Sequence, residues 1–205
     1  MSLRHDGLLC NTGRGKRFGI GPEFLRLALS VHIELATVAQ PVMDALSSQV
    51  EESVNLLMQN GRRAVCVARS CALTDLQIAP LLGSELPLHG TAAGKAILAA
   101  MTDEAARKLL GARRWEKCTP RTRTAWADLV DDLDQVRITG IATDIEEYAS
   151  GIAMLAVPVS TMCGKLHALA VLVPAQRLQQ KRPVIEQALR EAKRALDELI
   201  RRHQI

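Results

Sequence analysis

The run Leu86-Pro87-Leu88-His89-Gly90-Thr91-Ala92-Ala93-Gly94-Lys95-Ala96-Ile97-Leu98-Ala99 reads as a tight apolar turn feeding the start of a helix. A helix start presents unpaired N–H groups and the positive end of the peptide dipoles, which together suit a carboxylate or phosphate. The small residues at the turn let a ligand come close to the backbone. A nucleotide-binding P-loop is excluded by spacing. That pattern needs glycine at position 89, which is His89, and serine or threonine at position 96, which is Ala96. The chemistry these residues offer is the seating of a small anion; a plain helix start with no ligand fits them equally well.

A second polar cluster, Asp144-Ile145-Glu146-Glu147-Tyr148-Ala149-Ser150-Gly151-Ile152, leads into an apolar segment. Alternation along an extended chain places Asp144 and Glu146 on one side and Glu147 on the other. Paired carboxylates could serve acid/base or metal chemistry, but Asp144 next to an apolar strand reads better as the polar anchor of a pocket. The cysteines Cys10, Cys66, Cys71, Cys118 and Cys163 are odd in number and form no C-x-x-C pair, the usage of a reduced, cytoplasmic protein. Cys66 with Cys71, and Cys163 with His167, lack repeated metal-ligand spacing. A nucleophilic pair of cysteine and His89 lacks a third residue to orient it. No catalytic residue, metal ligand or cofactor is assigned.

The elements that must hold these groups follow from periodicity. A small β-ribbon is expected from Leu8-Leu9-Cys10 and Lys16-Arg17-Phe18-Gly19-Ile20 around a glycine-containing turn. Gly21-Pro22-Glu23 opens a long helix with Phe24, Leu25, Leu27, Ala28, Val31, Leu35 and Val38 at helical spacing, and Pro41 is expected to break or kink it. Strands are expected at 53–58 and 64–68, joined by an Asn60-Gly61 turn, followed by a loop-rich stretch at 74–86. Helices follow from about Thr91, from Thr102 with Asp103 and Glu104 in the first turn, and from a Thr124 cap to Gly140. Two apolar strands at 152–159 and 166–173 are expected to be central and antiparallel, and Pro183 to open a last helix. The sum is an α/β (α+β) domain, an antiparallel sheet flanked by helices and entered through a connector helix.

Composition narrows the partners. Of the 205 residues 48% are apolar, enough for a substantial core, yet only 2% are aromatic, which argues against base-stacking recognition of single-stranded nucleic acid. Most of the net charge of +4 sits in the first 17 residues, where Arg4, Arg14, Lys16 and Arg17 face Asp6 alone. Such an arm is either a solvated tail or a phosphate contact. The apolar runs are too short to span a bilayer, so no membrane partner is expected.

Three features together make the chain resemble the IclR family of bacterial transcriptional regulators. They are the Leu86-to-Ala99 run, the segment from Gly140 through Asp144-Ile145-Glu146-Glu147-Tyr148 to Gly151, and Val157-Pro158-Val159 before the last hairpin. The resemblance extends from about residue 15 to the C terminus. It implies a winged helix-turn-helix, a linker helix and a GAF-like effector-binding domain. Residues 1–21 would be the remnant of the wing, with Arg14, Lys16 and Arg17 as phosphate contacts; 22–40 the linker helix; and 41–205 the GAF-like domain. The recognition helix would lie upstream, and operator DNA would be bound through it.

The resemblance also implies the site. A small carboxylate-bearing organic acid would sit on the N–H groups of Ala92 and Ala93. Asp144 would face it, Ile152 and Met154 would contribute from the next strand, and Leu76, Ile78 and Leu86 would form apolar walls. Some members offer serine hydroxyls from the last strand, where this chain has Ala170 and Leu172. Leaving polar groups of a two-carbon acid unmet would cost roughly 1–3 kcal/mol each. The implied effector is therefore a larger, more apolar acid such as an aromatic carboxylate. Function is expected as a cytoplasmic, non-enzymatic regulator, for example a repressor, acting through rearrangement of a dimer or tetramer. The alternatives are a stand-alone GAF-like enzyme with Cys118 as nucleophile, and a purely structural oligomerisation domain.

Overall fold

A computed structural model describes residues 9–11, 18–23, 33–72, 80–112, 114–162 and 164–205. Two compact units are distinguished, Met1–Val38 and Ala39–Ile205. In the first, β1 (Leu9–Asn11) and β2 (Phe18–Ile20) form the expected antiparallel ribbon, with Cys10 opposite Gly19. Pro22 and Glu23 are helical. Residues 24–32, the middle of the expected linker helix, lie outside the described residues, as do Arg14, Lys16 and Arg17.

Helix α1 (Ile33–Val50) runs through Pro41 without interruption, contrary to the expected break. Pro41 is exposed. The carbonyl deprived of its partner four residues back is then hydrated, and the apolar spacing Ala39, Met43, Leu46 and Val50, all buried, holds the helix together.

The second unit is built on six antiparallel strands: β3 (Ser53–Asn60), β4 (Arg63–Ser70), β5 (Glu85–Pro87), β6 (Ala142–Ile145), β7 (Ile152–Ser160) and β8 (Leu166–Pro174). Their order across the sheet is β5-β4-β3-β8-β7-β6, so the expected pair β7 and β8 is central. The β3–β4 hairpin forms as expected, but Asn60 pairs with Arg63, which makes Gly61-Arg62 the two-residue loop. Gly61, at φ +55°, takes the positive-φ place that such loops require. β5 was expected to be loop; Leu86 pairs with Ala64 instead.

Four helices flank the sheet in sequence: α2 (Ala92–Ala99), α3 (Asp103–Leu110), α4 (Trp126–Thr139) and α5 (Ala175–His203). Thr102 caps α3 as expected, its hydroxyl accepting from the Ala105 N–H. The N-cap of α4 is Ala125 rather than Thr124, with no side-chain cap bond, and its end at Gly140 takes the left-handed conformation expected there. α5 begins well before Pro183, which sits inside it at an exposed position. As at Pro41, hydration of the freed carbonyl makes this tolerable, while Ile185, Leu189, Leu196 and Ile200 keep one face buried.

The two faces of the sheet have different covers. α2 packs on β7 and β8 and reaches β3, β4 and β6; α5 packs on β7 and β8. Residues Leu57, Ala64, Leu86, Met154, Ala156, Ala168, Ala170 and Leu172 share one core cluster with Ala92, Ala93, Ala96 and Ile97 of α2. The alternate positions Leu155, Val157, Leu169 and Val171 are buried on the opposite face. Among the described residues no helix is long and apolar enough to cross a membrane.

Candidate functional site

The start of α2 is held by its own cap. Thr91 is extended at φ −137° and ψ 150°, its hydroxyl accepts from the Gly94 N–H at 3.0 Å and donates to the Pro87 carbonyl at 2.9 Å. The Lys95 N–H donates to the Thr91 carbonyl. Gly94 is required by contact: a Cβ there would overlap the backbone of Leu88, so the preceding turn lies directly against the helix. These bonds satisfy the third and fourth N–H groups. The first two, on Ala92 and Ala93, meet no acceptor among the described residues, and both alanines are wholly buried. Buried backbone donors are paired in the great majority of cases, and two adjacent orphans at a helix start have the chemistry to hold an anion.

The facing wall is read from strand register. Across β3, β8, β7 and β6 one row runs Ser53, Leu172, Met154, Asp144, and the next runs Asn55, Ala170, Ala156, Ala142. Both rows point to the α2 side. Met154 and Ile152 thus share a face with Asp144, and Leu86 continues it through β5. The structure places Ala92, Ala93, Leu86 and Met154 in one cluster, with Asp144 beside Met154. Ile152 lies at the margin and is half-buried. Leu76 and Ile78 lie outside the described residues.

The acidic segment differs from the expected alternation. β6 ends at Ile145, and Glu146 takes a left-handed φ of +59°. The chain therefore turns, and Glu147 swings inward with Asp144, while the half-buried Glu146 accepts from the Gly151 N–H and pairs with Arg121. Asp144 Oδ1 accepts from the Glu147 N–H at 2.7 Å. Burial raises the Asp144 carboxyl to about 7, the Glu147 carboxylate adding to the rise, with the backbone bond and Lys95 opposing it.

The sequence reading missed the ion-pair network next to this turn. Lys95 is 2% exposed and its ammonium donates to Glu147 at 2.7 Å and to Asp132 at 3.0 Å; Arg123 donates to the same Asp132 oxygen at 3.1 Å. The Thr119 and Thr122 hydroxyls donate to the Glu147 carbonyl from below. A lysine on the otherwise apolar face of α2 was the available signal; its partners lie too far along the chain to be read. Asn55 was also missed, a polar residue inside an apolar strand.

Burial lowers the His89 imidazole, whose Nε2 pairs with the Glu116 carbonyl at 2.8 Å and whose ring lies 5.3 Å from that of Trp115. Burial raises Cys118, and raises Cys66 to about 11, which keeps both as thiols. Among the described residues no group of three or more His, Cys, Asp or Glu could hold a metal ion. Two clefts of about 570 Å³ are open to solvent, one walled by Arg107, Trp115 and Trp126, the other by Arg121, Arg123 and Arg182 together with Lys95 and Glu147 of the ion-pair network.

With this geometry in place, similarity to known proteins is informative. The model of the bacterial transcriptional regulator IclR C-terminal family matches residues 28–198. The HTH-type transcriptional regulator Rv1719 of Mycobacterium tuberculosis is 32% identical over 188 residues, covering 92% of this chain and 72% of its own. A crystal structure described as an IclR transcriptional regulator from Silicibacter sp. TM1040 superposes with a TM-score of 0.87 at 27% identity, over 97% of this chain and 80% of that one. The inducer-binding domain of the PobR transcription factor from Acinetobacter, a double mutant in complex with 3-hydroxybenzoic acid, superposes with a TM-score of 0.70 at 27% identity, over 78% and 96%.

Proposed function

Since the chain belongs to the IclR family of bacterial transcriptional regulators, we propose that its second unit senses a small carboxylic acid and thereby controls DNA binding. The observation that carries this reading is the pair of buried, acceptor-less N–H groups on Ala92 and Ala93. A carboxylate there receives two charge-assisted hydrogen bonds and the positive end of α2. Asp144 near pH 7 is partly protonated and can donate to the same carboxylate. Met154, Ile152 and Leu86 form the apolar walls in this reading. The replacement of polar groups by Ala170 and Leu172 supports an aromatic or similarly apolar acid, and the complex of the PobR domain with a hydroxybenzoic acid supports the same class.

Residues 22–40 act in this reading as the linker helix, and 41–205 as the effector domain. Effector binding shifts the balance between two arrangements of a dimer or tetramer, a coupling typically worth about 1–3 kcal/mol. The shift reaches operator DNA through a helix-turn-helix of the parent protein, with Arg14, Lys16 and Arg17 on phosphates. The protein works in the cytoplasm and performs no chemistry on its ligand; the raised pKa of Cys118 speaks against the alternative of a cysteine-dependent enzyme. Titration calorimetry tests the seat directly. Benzoate is expected to bind and its uncharged analogue benzamide to bind at least about tenfold more weakly. Equal affinity for the two, or preference for glyoxylate and pyruvate over benzoate, overturns the reading.

A further inference from the structure

Asn55 lies in the middle of β3, wholly buried, one row along from Asp144 on the face that looks toward α2. Its Oδ1 lies 3.7 Å from the Cys66 Sγ, whose one proton is also within reach of the Ala68 carbonyl at 3.6 Å. Its Nδ2 meets no acceptor among the described residues and is inaccessible to solvent. A polar side chain in a sheet core that lacks a partner is rare, and an apolar residue of equal size would serve packing better. The floor between Asn55 and the seat consists of Ala170, Ala168 and Ala156. α2 packs on β7 and β8, and a ligand reaching from either strand to Asn55 on β3 would cross one to two strand spacings, roughly 5–10 Å. That span suits a single six-membered ring carrying oxygens on opposite sides.

We propose that Asn55 sets the specificity of the pocket by donating from Nδ2 to an oxygen acceptor at the end of the ligand remote from its carboxylate. The inference rests on the reading of Ala92 and Ala93 as the carboxylate seat and adds the second pole. It describes the ligand as a ring carboxylic acid bearing a hydroxyl or carbonyl oxygen on its far side. Three unpaired donors, two from the α2 backbone and one from Asn55, then face the two polar ends of one molecule across an apolar floor.

The test compares benzoate with 3-hydroxybenzoate and 4-hydroxybenzoate on the full chain by titration calorimetry. The wild-type protein is expected to bind at least one hydroxybenzoate about tenfold more tightly than benzoate. Asn55→Leu is expected to erase that difference and to keep benzoate affinity within about threefold. Should Asn55→Leu not fold, the side-chain amide of Asn55 in the wild-type protein gives an independent readout. Its ¹⁵N–¹H resonances are expected to shift with the hydroxybenzoate and to stay in place with benzoate. Equal wild-type affinity for benzoate and both hydroxybenzoates, or an unchanged preference in Asn55→Leu, overturns the role of Asn55 and leaves the carboxylate seat standing. Failure of all three acids to bind overturns the seat, and the role of Asn55 with it.

Discussion

In the proposed seat, Asp144 is the residue whose protonation would bear most directly on binding. Its carboxyl is lifted to about 7 by burial, and an acid seated on Ala92 and Ala93 brings a like charge toward it. Ligand binding is therefore expected to be accompanied by proton uptake. Affinity for benzoate should be level below about pH 6 and weaken toward a tenfold loss per unit above about pH 8. Glu147 and Lys95 face the same carboxyl, and their opposite charges act on it in opposite senses. Asp144→Asn keeps an acceptor for the Glu147 N–H, so the fold should survive and the pH profile of affinity should flatten. A wild-type profile as flat as that of the variant would remove Asp144 from the pocket. In the unliganded protein the sign is that of an acid raised on folding. Its stabilising contribution is complete below the ordinary value of 3.8 and is lost as pH climbs to about 7. The burial of Asp144 beside Met154 was legible in the sequence, because it precedes an apolar strand. The inward turn of Glu147 was not, since it depends on a left-handed residue at Glu146 that no periodicity announces. Asn55 escaped for a related reason: whether a polar residue in a strand faces solvent or core depends on which neighbours the sheet supplies.

Among the elements, α2 is fastened by Lys95, which joins it to α4 through Asp132 and to the β6–β7 connection through Glu147. Lys95 is almost fully buried, and Glu147 nearly so, with one carboxylate oxygen lacking a partner among the described residues. Removing the ammonium leaves a buried charge uncompensated. Lys95→Met is expected to lower unfolding stability by about 3 kcal/mol, read from denaturant melts. Asp132→Asn should cost less, because Asp132 is partly exposed and its loss leaves Lys95 paired with Glu147. A Lys95→Met protein as stable as wild type would reduce the network to a surface feature. The elements themselves were largely readable. Thr102, Gly140 and the nearly continuous apolar runs of β7 and β8 carry local signals that acted as expected. The errors concern prolines and caps. Pro41 is expected to break or kink its helix and Pro183 to open one, yet both lie inside helices, where an exposed proline is tolerated if buried side chains on the other face maintain the helix. Thr124 has the right chemistry for a cap but sits one residue too early.

At the scale of the whole molecule, the class of fold followed from patterning alone, whereas the strand order did not. β3 pairs with β8 across most of the length of the domain, and nothing local in either strand names its partner. Quaternary structure is likewise a matter of surfaces. Leu81, Leu82, Ile138, Met162 and Val184 are large apolar side chains left exposed. A protein that signals through paired subunits is expected to sediment as a dimer or larger at about micromolar concentration, the range typical of modest interfaces; a monomer there would speak against transmission by subunit rearrangement. Gly94 bears on how such a signal begins. With the Leu88 backbone pressed against it, the first turn of α2 has no room to advance or tilt toward the turn that precedes it. An acid docked there would be gauged against a fixed stop, so ligands of different length would differ only in how far they push on the opposite wall. An acid seated as proposed would thus be measured from one end only, with α2 as the fixed reference.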